Sequence, residues 1–363
     1  MTPHLHRIRF PLMGLGLLTF LVGLWAGLGR LGWPLPLPHS MLPAAHGPLM
    51  VCGFLGTLIG VERAVALGRG WPYAAPLLSA LGALALIIGW PAAGLMTLAS
   101  LGLGLVFGAM LQRQAALATG VMALGVVLWL VGNVCWLAGW PLYQAVPWWA
   151  GFLVWTIAGE RLELSRLLRL SRGSQGAFVL SLGVYLGGLG LSLWHVTAGT
   201  GLTGCGMLGL AVWLLRYDIA RRTVRQKGLT RFIAVCLLCG YVWLGASGVL
   251  SVLYGGVIAG PLYDAVLHTL FLGFVFTMIC GHGPIIFPAI LGRPVPYHPG
   301  FYAPGVLLQA SLLARVSGDL LGWAAGRQWG GLLNAGAMLL FLATLGHGLC
   351  WLKPERPAGI SRL

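Results

Sequence analysis

Charged residues are scarce in this sequence, and acidic residues are the scarcest of all. Only 8% of the 363 residues are charged, with 7 Asp and Glu against 22 Lys and Arg. Hydrophobic residues make up 58% of the chain, and the mean hydropathy is +0.88. A soluble domain needs far more polar surface than this composition offers. The sequence therefore predicts an all-α polytopic membrane protein, with residues 1–363 in a single transmembrane domain.

A disulfide framework is also missing. The 7 cysteines are scattered through apolar runs. Cys236 and Cys239 have the spacing of a redox or zinc motif, but both lie inside one apolar run without further ligands nearby in the sequence. We interpret the cysteines as small apolar residues.

Apolar runs long enough to cross a bilayer, which takes about 20 helical residues, fill nearly the whole chain. We predict about twelve of them, at roughly 10–29, 45–67, 73–90, 92–111, 115–139, 143–164, 176–194, 198–215, 231–254, 262–291, 301–321 and 329–352.

The net charge of +15 does not indicate nucleic-acid binding, because the positive residues lie in short loops between the apolar runs. With twelve spans, nearly all of these loops fall on one side of the membrane, and the opposite loops carry only Arg30 and Arg327. This is the positive-inside pattern. It predicts that the lipid bilayer is the main partner and that both termini are cytoplasmic.

A short phrase recurs three times at intervals of about four predicted helices. Each copy is a Gly-Phe pair followed, after seven residues, by a titratable position: Gly53-Phe54 with Glu62-Arg63, Gly151-Phe152 with Glu160-Arg161, and Gly273-Phe274 with His282. The glycines allow close approach of a neighbouring helix or of a flat ligand. The charged pairs either extend to the cytoplasmic surface or form an entry point for protons or ions. The common spacing suggests three pseudo-symmetric arcs of four helices.

Two histidines on different helices are predicted to lie in one layer, near the outer surface. His46 is at the start of the second helix, and His268 is about two turns into the tenth. Two such imidazoles can supply both axial ligands of a b-type haem. Asp264, one turn before His268, could hold its ring, and Arg315 could pair with a haem propionate.

Each of these residues also has a purely structural interpretation. His46 could be an interfacial residue at a helix start, and His268 could bond to a neighbouring helix. Arg315 could simply neutralise Asp319, four residues later. His282, some 20 Å deeper at about 1.5 Å per residue, is either a further functional residue or marks a broken helix end before a Gly-Pro pair.

The segment His46–Phe54, HGPLMVCGF, resembles the phrase His-x-His-Glu-Met-x-x-Gly-Phe in the second helix of the NnrS family. His268 followed by Gly273 resembles that family's His-x-x-x-x-Gly in the tenth helix, and the segments around His282 and Arg315 also look similar. NnrS proteins are bacterial inner-membrane proteins with twelve helices, contain haem and copper, and are linked to nitric oxide stress. The resemblance implies haem b, copper, a small ligand such as nitric oxide, and an electron donor that it does not identify. It also makes the three histidines named here the candidate metal ligands.

The recurrence on helices two, six and ten is similar to the plan of haem-copper oxidases, which have three arcs of four helices. The sequence departs from both patterns. Pro48 and Leu49 stand where the NnrS phrase has its second His and its Glu. The sixth helix has Gln144 in the place of His46, and the seventh offers only His195 at its end. A three-histidine copper site cannot be assembled from these positions, so we do not expect oxygen reduction with proton pumping.

These observations predict an NnrS-like haem-binding inner-membrane protein with a role in redox chemistry or nitric oxide handling, and they leave open whether it is an enzyme. The alternative is a secondary transporter of a small solute or metal ion, which commonly has about twelve helices and polar residues at the midplane. Transporters more often have two inverted halves, whereas this phrase recurs three times in one direction.

Overall fold

The fold consists of helices joined by short loops. The computed structural model describes residues 3–168, 170–293 and 295–351, and within those ranges there is no strand. The long helices are α1 (Pro3–Arg30), α2 (Leu42–Leu67), α3 (Ala74–Ile87), α4 (Ala93–Arg113), α5 (Leu117–Leu137), α6 (Leu142–Ser165), α7 (Arg172–Leu191), α8 (Val196–Tyr217), α9 (Gly228–Tyr254), α10 (Gly260–Ile290), α11 (Tyr302–Leu321) and α12 (Ala324–Trp351).

Most of these helices have the length and composition of membrane spans. Among the described residues, nine are long and apolar enough: α1, α2, α4, α5, α7, α8, α9, α10 and α12. The segment Trp71–Ile87, which contains α3, is apolar but shorter. Large hydrophobic side chains such as Leu105 and Leu339 are exposed, as the lipid-facing surface of a membrane protein requires. The expectation of an all-helical membrane protein is confirmed.

Consecutive helices pack against each other because the loops between them are short. The pairs α5 and α6, α7 and α8, and α11 and α12 make the most extensive contacts. Gly139 and Gly322 provide positive φ angles of 82° and 68° where α5 and α11 end. Between α5 and α6, Trp129 stacks on Phe152 with ring centres 4.9 Å apart. Helix α10 packs mainly against α9 and α11, and it also contacts α2 and α6.

The three glycines of the repeated phrase each lie against the preceding long helix. Gly53 packs against α1, Gly151 against α5 and Gly273 against α9, and an added Cβ would meet a side-chain atom at 2.6, 2.8 and 2.5 Å respectively. Contacts this short leave no room for a larger side chain. Of the two uses that the sequence allowed for these glycines, the structure therefore shows close helix packing.

A buried ion pair joins the C-terminal ends of α2 and α6. Arg63 Nη2 donates to Glu160 Oε1, and Glu62 Oε1 lies 3.4 Å from the same nitrogen. Only 9% of the Arg63 side chain is exposed. Two of the charged positions in the repeated phrase thus contact each other across the bundle.

Candidate functional site

A cavity of about 340 Å³ opens at the face where α1 ends and where α2, α6 and α10 begin. Helices α11 and α12 complete its wall. The volume falls in the range of about 300–1,000 Å³ that is usual for small-molecule sites. The lining is mostly apolar, but four charged side chains reach it: Arg30, Asp264, Arg315 and Arg327. The excess of positive charge favours a ligand with anionic groups.

His46 and His268 lie next to each other in this cavity. Their ring centres are 6.2 Å apart, and their ring planes differ by 19°. The sequence predicts that the two residues lie in one layer of the protein, and the packing of α2 near α10 brings their rings together.

A backbone carbonyl holds each ring through Nδ1. His46 Nδ1 lies 2.8 Å from the carbonyl oxygen of Gly23 in α1, and His268 Nδ1 lies 2.9 Å from that of Asp264. A carbonyl oxygen can only accept a hydrogen bond, so each Nδ1 carries the proton. In the neutral form of each ring Nε2 then keeps its lone pair, and this is the form of imidazole that binds metal ions.

Each histidine is followed closely by a π-helical segment. These segments are Leu49–Leu55 in α2 and Thr269–Phe276 in α10, and both contain the Gly-Phe pair of the repeated phrase. The remaining copy, Gly151-Phe152, lies in Leu142–Ser165, which is α-helical throughout and contains no histidine. π-Helical turns are rare and occur often at functional sites. The distortion accompanies the histidines, and nothing in the sequence pattern predicted it.

Asp264 connects His268 to Arg315. Its Oδ1 lies 3.2 Å from His268 Nδ1, and Arg315 donates to both carboxylate oxygens at 2.9 and 3.0 Å. Such a bidentate pair fixes the orientation of the carboxylate. The sequence offered Asp319 as the local partner of Arg315, but the hydrogen bonds of Arg315 go to Asp264. Asp319 Oδ1 instead lies 3.0 Å from Arg327 Nε.

Glycines on α1 and α12 allow close contacts with His46 and Arg315, and the sequence pattern did not point to them. A Cβ on Gly27 would lie 2.8 Å from two atoms of the His46 ring. A Cβ on Gly330 would lie 2.6 Å from the backbone nitrogen of Arg315. The sequence does contain a pattern that could have predicted this contact on α1. Gly23 and Gly27 are four residues apart, so they share one helix face.

His282 lies outside this cavity. Its Nδ1 is 2.7 Å from the carbonyl oxygen of Met278, and its charged neighbours are Glu160 and Arg161. It does not mark a helix end, because Thr277–Leu291 is helical. The described part of the chain contains no group of three or more His, Cys, Asp or Glu side chains that could hold a metal ion. The cavity thus unites the other two histidines but not this one.

Comparison with known proteins gives a family but no function. No curated protein and no solved structure matches the chain. A family model matches residues 9–347, a range that includes every residue of the cavity. The chain therefore belongs to the family described as "Domain of unknown function (DUF8744)".

Proposed function

We propose that this protein binds one b-type haem through His46 and His268, in a redox or nitric oxide-handling role similar to that of NnrS proteins. The histidine pair carries the proposal, because its ring centres are 6.2 Å apart and both Nε2 atoms keep their lone pairs. Two imidazoles that held one metal ion between them would have ring centres about 6 Å apart, because metal–nitrogen bonds are about 2 Å long and each ring centre lies roughly 1 Å behind its nitrogen. The macrocycle supplies the remaining ligands, so two protein ligands are enough.

The charges around the cavity support the same ligand. Arg315 already binds Asp264, so it acts on the site through that carboxylate. Arg327 lies beside Asp319. Among the described residues no ion pair involves Arg30, which lines the cavity where α1 ends. A guanidinium matches a carboxylate in geometry, so we assign a haem propionate to Arg30.

The surrounding residues adjust the electronic properties of the pair. Haem supplies one-electron chemistry and a site for diatomic gases such as nitric oxide. His46 and His268 would be the residues that hold this group in the cavity. The backbone carbonyl of Asp264 accepts a hydrogen bond from His268 Nδ1, and the Asp264 carboxylate lies 3.2 Å from the same nitrogen. This negative charge beside the ring would stabilise an oxidised metal bound to His268.

We further propose twelve crossings in three arcs of four helices, in a bacterial inner membrane, with both termini cytoplasmic. The one-sided positive loops support this orientation. The three glycines of the repeated phrase, each packed against the preceding long helix, support the arcs.

The alternative function is a secondary transporter, which would use the same cationic cavity to bind an anionic solute.

The absorption spectrum of the purified protein tests the haem proposal. We expect a Soret band, one haem per chain, and loss of the low-spin spectrum in His268→Ala. His46→Ala should give the same loss or a five-coordinate, high-spin haem.

The matched control is His282→Ala. His282 lies on the same helix, and its Nδ1 is bound to the carbonyl four residues earlier, as in His268, but it lies outside the cavity. We expect this variant to keep its haem. A colourless wild-type protein, or equal loss of haem in the control, would reject the proposal, and a colourless protein that binds a carboxylate solute would favour a transporter.

A further inference from the structure

A second cavity lies at the opposite face, where α7 begins and α8 ends. Its volume is about 740 Å³. Four of its nine lining residues are arginines: Arg216, Arg221, Arg222 and Arg225. All four are exposed. The cavity adjoins the ends of two membrane-spanning helices, so it lies at the level of lipid headgroups.

The arginines of this cavity have little to neutralise them. No carboxylate among the described residues forms an ion pair with any of the four. Arg221 donates to the backbone carbonyl of Arg216 at 2.8 Å, and the Arg216 guanidinium lies 5.8 Å from the ring centre of Tyr217. Like charges that converge on one cavity repel each other, so a bound anion would stabilise the arrangement.

Asp218 is the single acidic residue in the lining, and it is directed to other partners. It is 1% exposed, its Oδ1 accepts from the backbone nitrogen of Ala220 at 2.7 Å, and Arg161 is its charged neighbour. Burial raises the pKa of the Asp218 carboxyl above its ordinary value. The hydrogen bond and the charged neighbour of this carboxyl thus both lie outside the four arginines of the cavity.

The surface beside the cavity is apolar. On α7, Val179 and Leu180 are 47% and 68% exposed, and on α8, Val212 is 63% exposed. Val212 lies one turn before Arg216 on the same helix, so the two share a face. An anionic headgroup among the arginines would have its acyl chains along these apolar faces. The positive-inside rule explains why arginines are numerous at the end of α8 and in the loop that follows it, but not why four of them line one cavity.

We propose that this cavity binds the headgroup of an anionic phospholipid. Guanidinium groups bind phosphate oxygens in a bidentate manner, and basic pockets at the ends of membrane helices recognise such headgroups. The inference does not depend on the haem proposal, because it uses other residues at the other face.

Native mass spectrometry of the full chain in detergent tests this proposal, with phosphatidylglycerol as the probe and phosphatidylcholine as the uncharged comparison. Arg222→Gln/Arg225→Gln should weaken phosphatidylglycerol binding by about tenfold, which corresponds to about 1.4 kcal/mol. Lys227→Gln/Arg231→Gln is the matched control, because it removes two nearby charges that lie outside the lining, one at the end of the loop after α8 and one in the first turn of α9. The control should bind the lipid like the wild type, and phosphatidylcholine should not be retained.

Equal weakening in both double variants would show that diffuse loop charge attracts the lipid, and would overturn the proposal. Binding of inorganic phosphate at this cavity without retention of phosphatidylglycerol would overturn it as well. If the double variant does not fold, Arg222→Gln and Arg225→Gln are measured separately, and each should show part of the loss. Wild-type affinity in both single variants would contradict the site.

Discussion

Asp264 is the residue on which the geometry of the candidate site most depends, because it binds both His268 and Arg315. Arg315→Gln would leave the carboxylate buried without its bidentate partner. We expect a loss of about 3–5 kcal/mol in the free energy of unfolding, as for a broken buried ion pair. Arg315→Lys should recover only part of it, because lysine cannot form the bidentate pair.

Denaturant unfolding of the purified variants in detergent measures this effect. Asp264→Asn in the Arg315→Gln background removes the unpaired charge, and should restore much of the lost stability. A double variant no more stable than Arg315→Gln alone would show that the arginine stabilises the protein through other contacts.

Asp264→Asn alone should also change the redox behaviour of a bound haem. The substitution removes a negative charge beside His268, so the oxidised iron loses more stabilisation than the reduced iron, and the reduction potential rises. A spectroscopic redox titration measures the shift. An unchanged or lowered potential would mean that this carboxylate does not act on the metal ligand.

Gly27 on α1 is expected to make room for the ring of His46. Gly27→Ala introduces a Cβ 2.8 Å from that ring, so the ring must move, and haem content should fall. Gly14→Ala is the control on the same helix, because a Cβ there has nothing within 4 Å. Both substitutions raise helix propensity by roughly 1 kcal/mol, so loss of haem in Gly27→Ala alone would come from the ring. Equal haem content in the two variants would contradict this role.

The two histidines of the site could be identified from the sequence, but the atoms that hold their rings could not. His46 and His268 are noticeable because titratable residues inside apolar runs are rare and costly. The carbonyl that binds His46 belongs to Gly23, and that contact depends on how α1 crosses α2. In the same way, sequence spacing suggested Asp319 for Arg315, whereas the packing of α11 beside α10 brings Asp264 to it.

Among the helices, α2 and α6 are joined by the ion pair of Arg63 and Glu160. Arg63→Gln should lower the free energy of unfolding by about 2 kcal/mol, less than for a fully buried pair, because 29% of the Glu160 side chain is exposed. The control is Arg166→Gln, which breaks the pair with Glu163, whose side chains are 65% and 35% exposed. We expect the control to change stability by less than about 0.5 kcal/mol. A double-mutant cycle with Glu160→Gln that gives no coupling energy would contradict the pairing.

The helices themselves could largely be read from the sequence, whereas their distortions could not. The run predicted at 231–254 is observed as Gly228–Tyr254, and the run at 262–291 as Gly260–Ile290. A continuous apolar run is a strong signal for a membrane helix, because the bilayer requires every backbone group to be bonded within the helix. The π-helical turns within α2 and α10 leave the apolar composition unchanged, so only the three-dimensional packing reveals them.

For the whole molecule, we expect an even number of crossings with both ends of the chain in the cytoplasm. Reporter fusions after Lys227 and in the C-terminal segment should report a cytoplasmic location, and a fusion near His39 the opposite side, because the positive loops fall on one side. A reporter at His39 that shares the side of the C-terminus would contradict this topology. It would also move the histidine cavity to the cytoplasmic face.

Because the histidine pair lies near one face, a charge that reached it from that face would cross only part of the transmembrane potential. His46 lies in the first turns of α2, and His268 about two turns into α10. A charge that crosses the entire bilayer gains or loses about 2.3 kcal/mol per 100 mV. If the proposed haem is present, an electron that entered from the near face would cross only a small fraction of that field. With a donor on that side, reduction of the site would proceed at nearly the same rate in energised and de-energised cells.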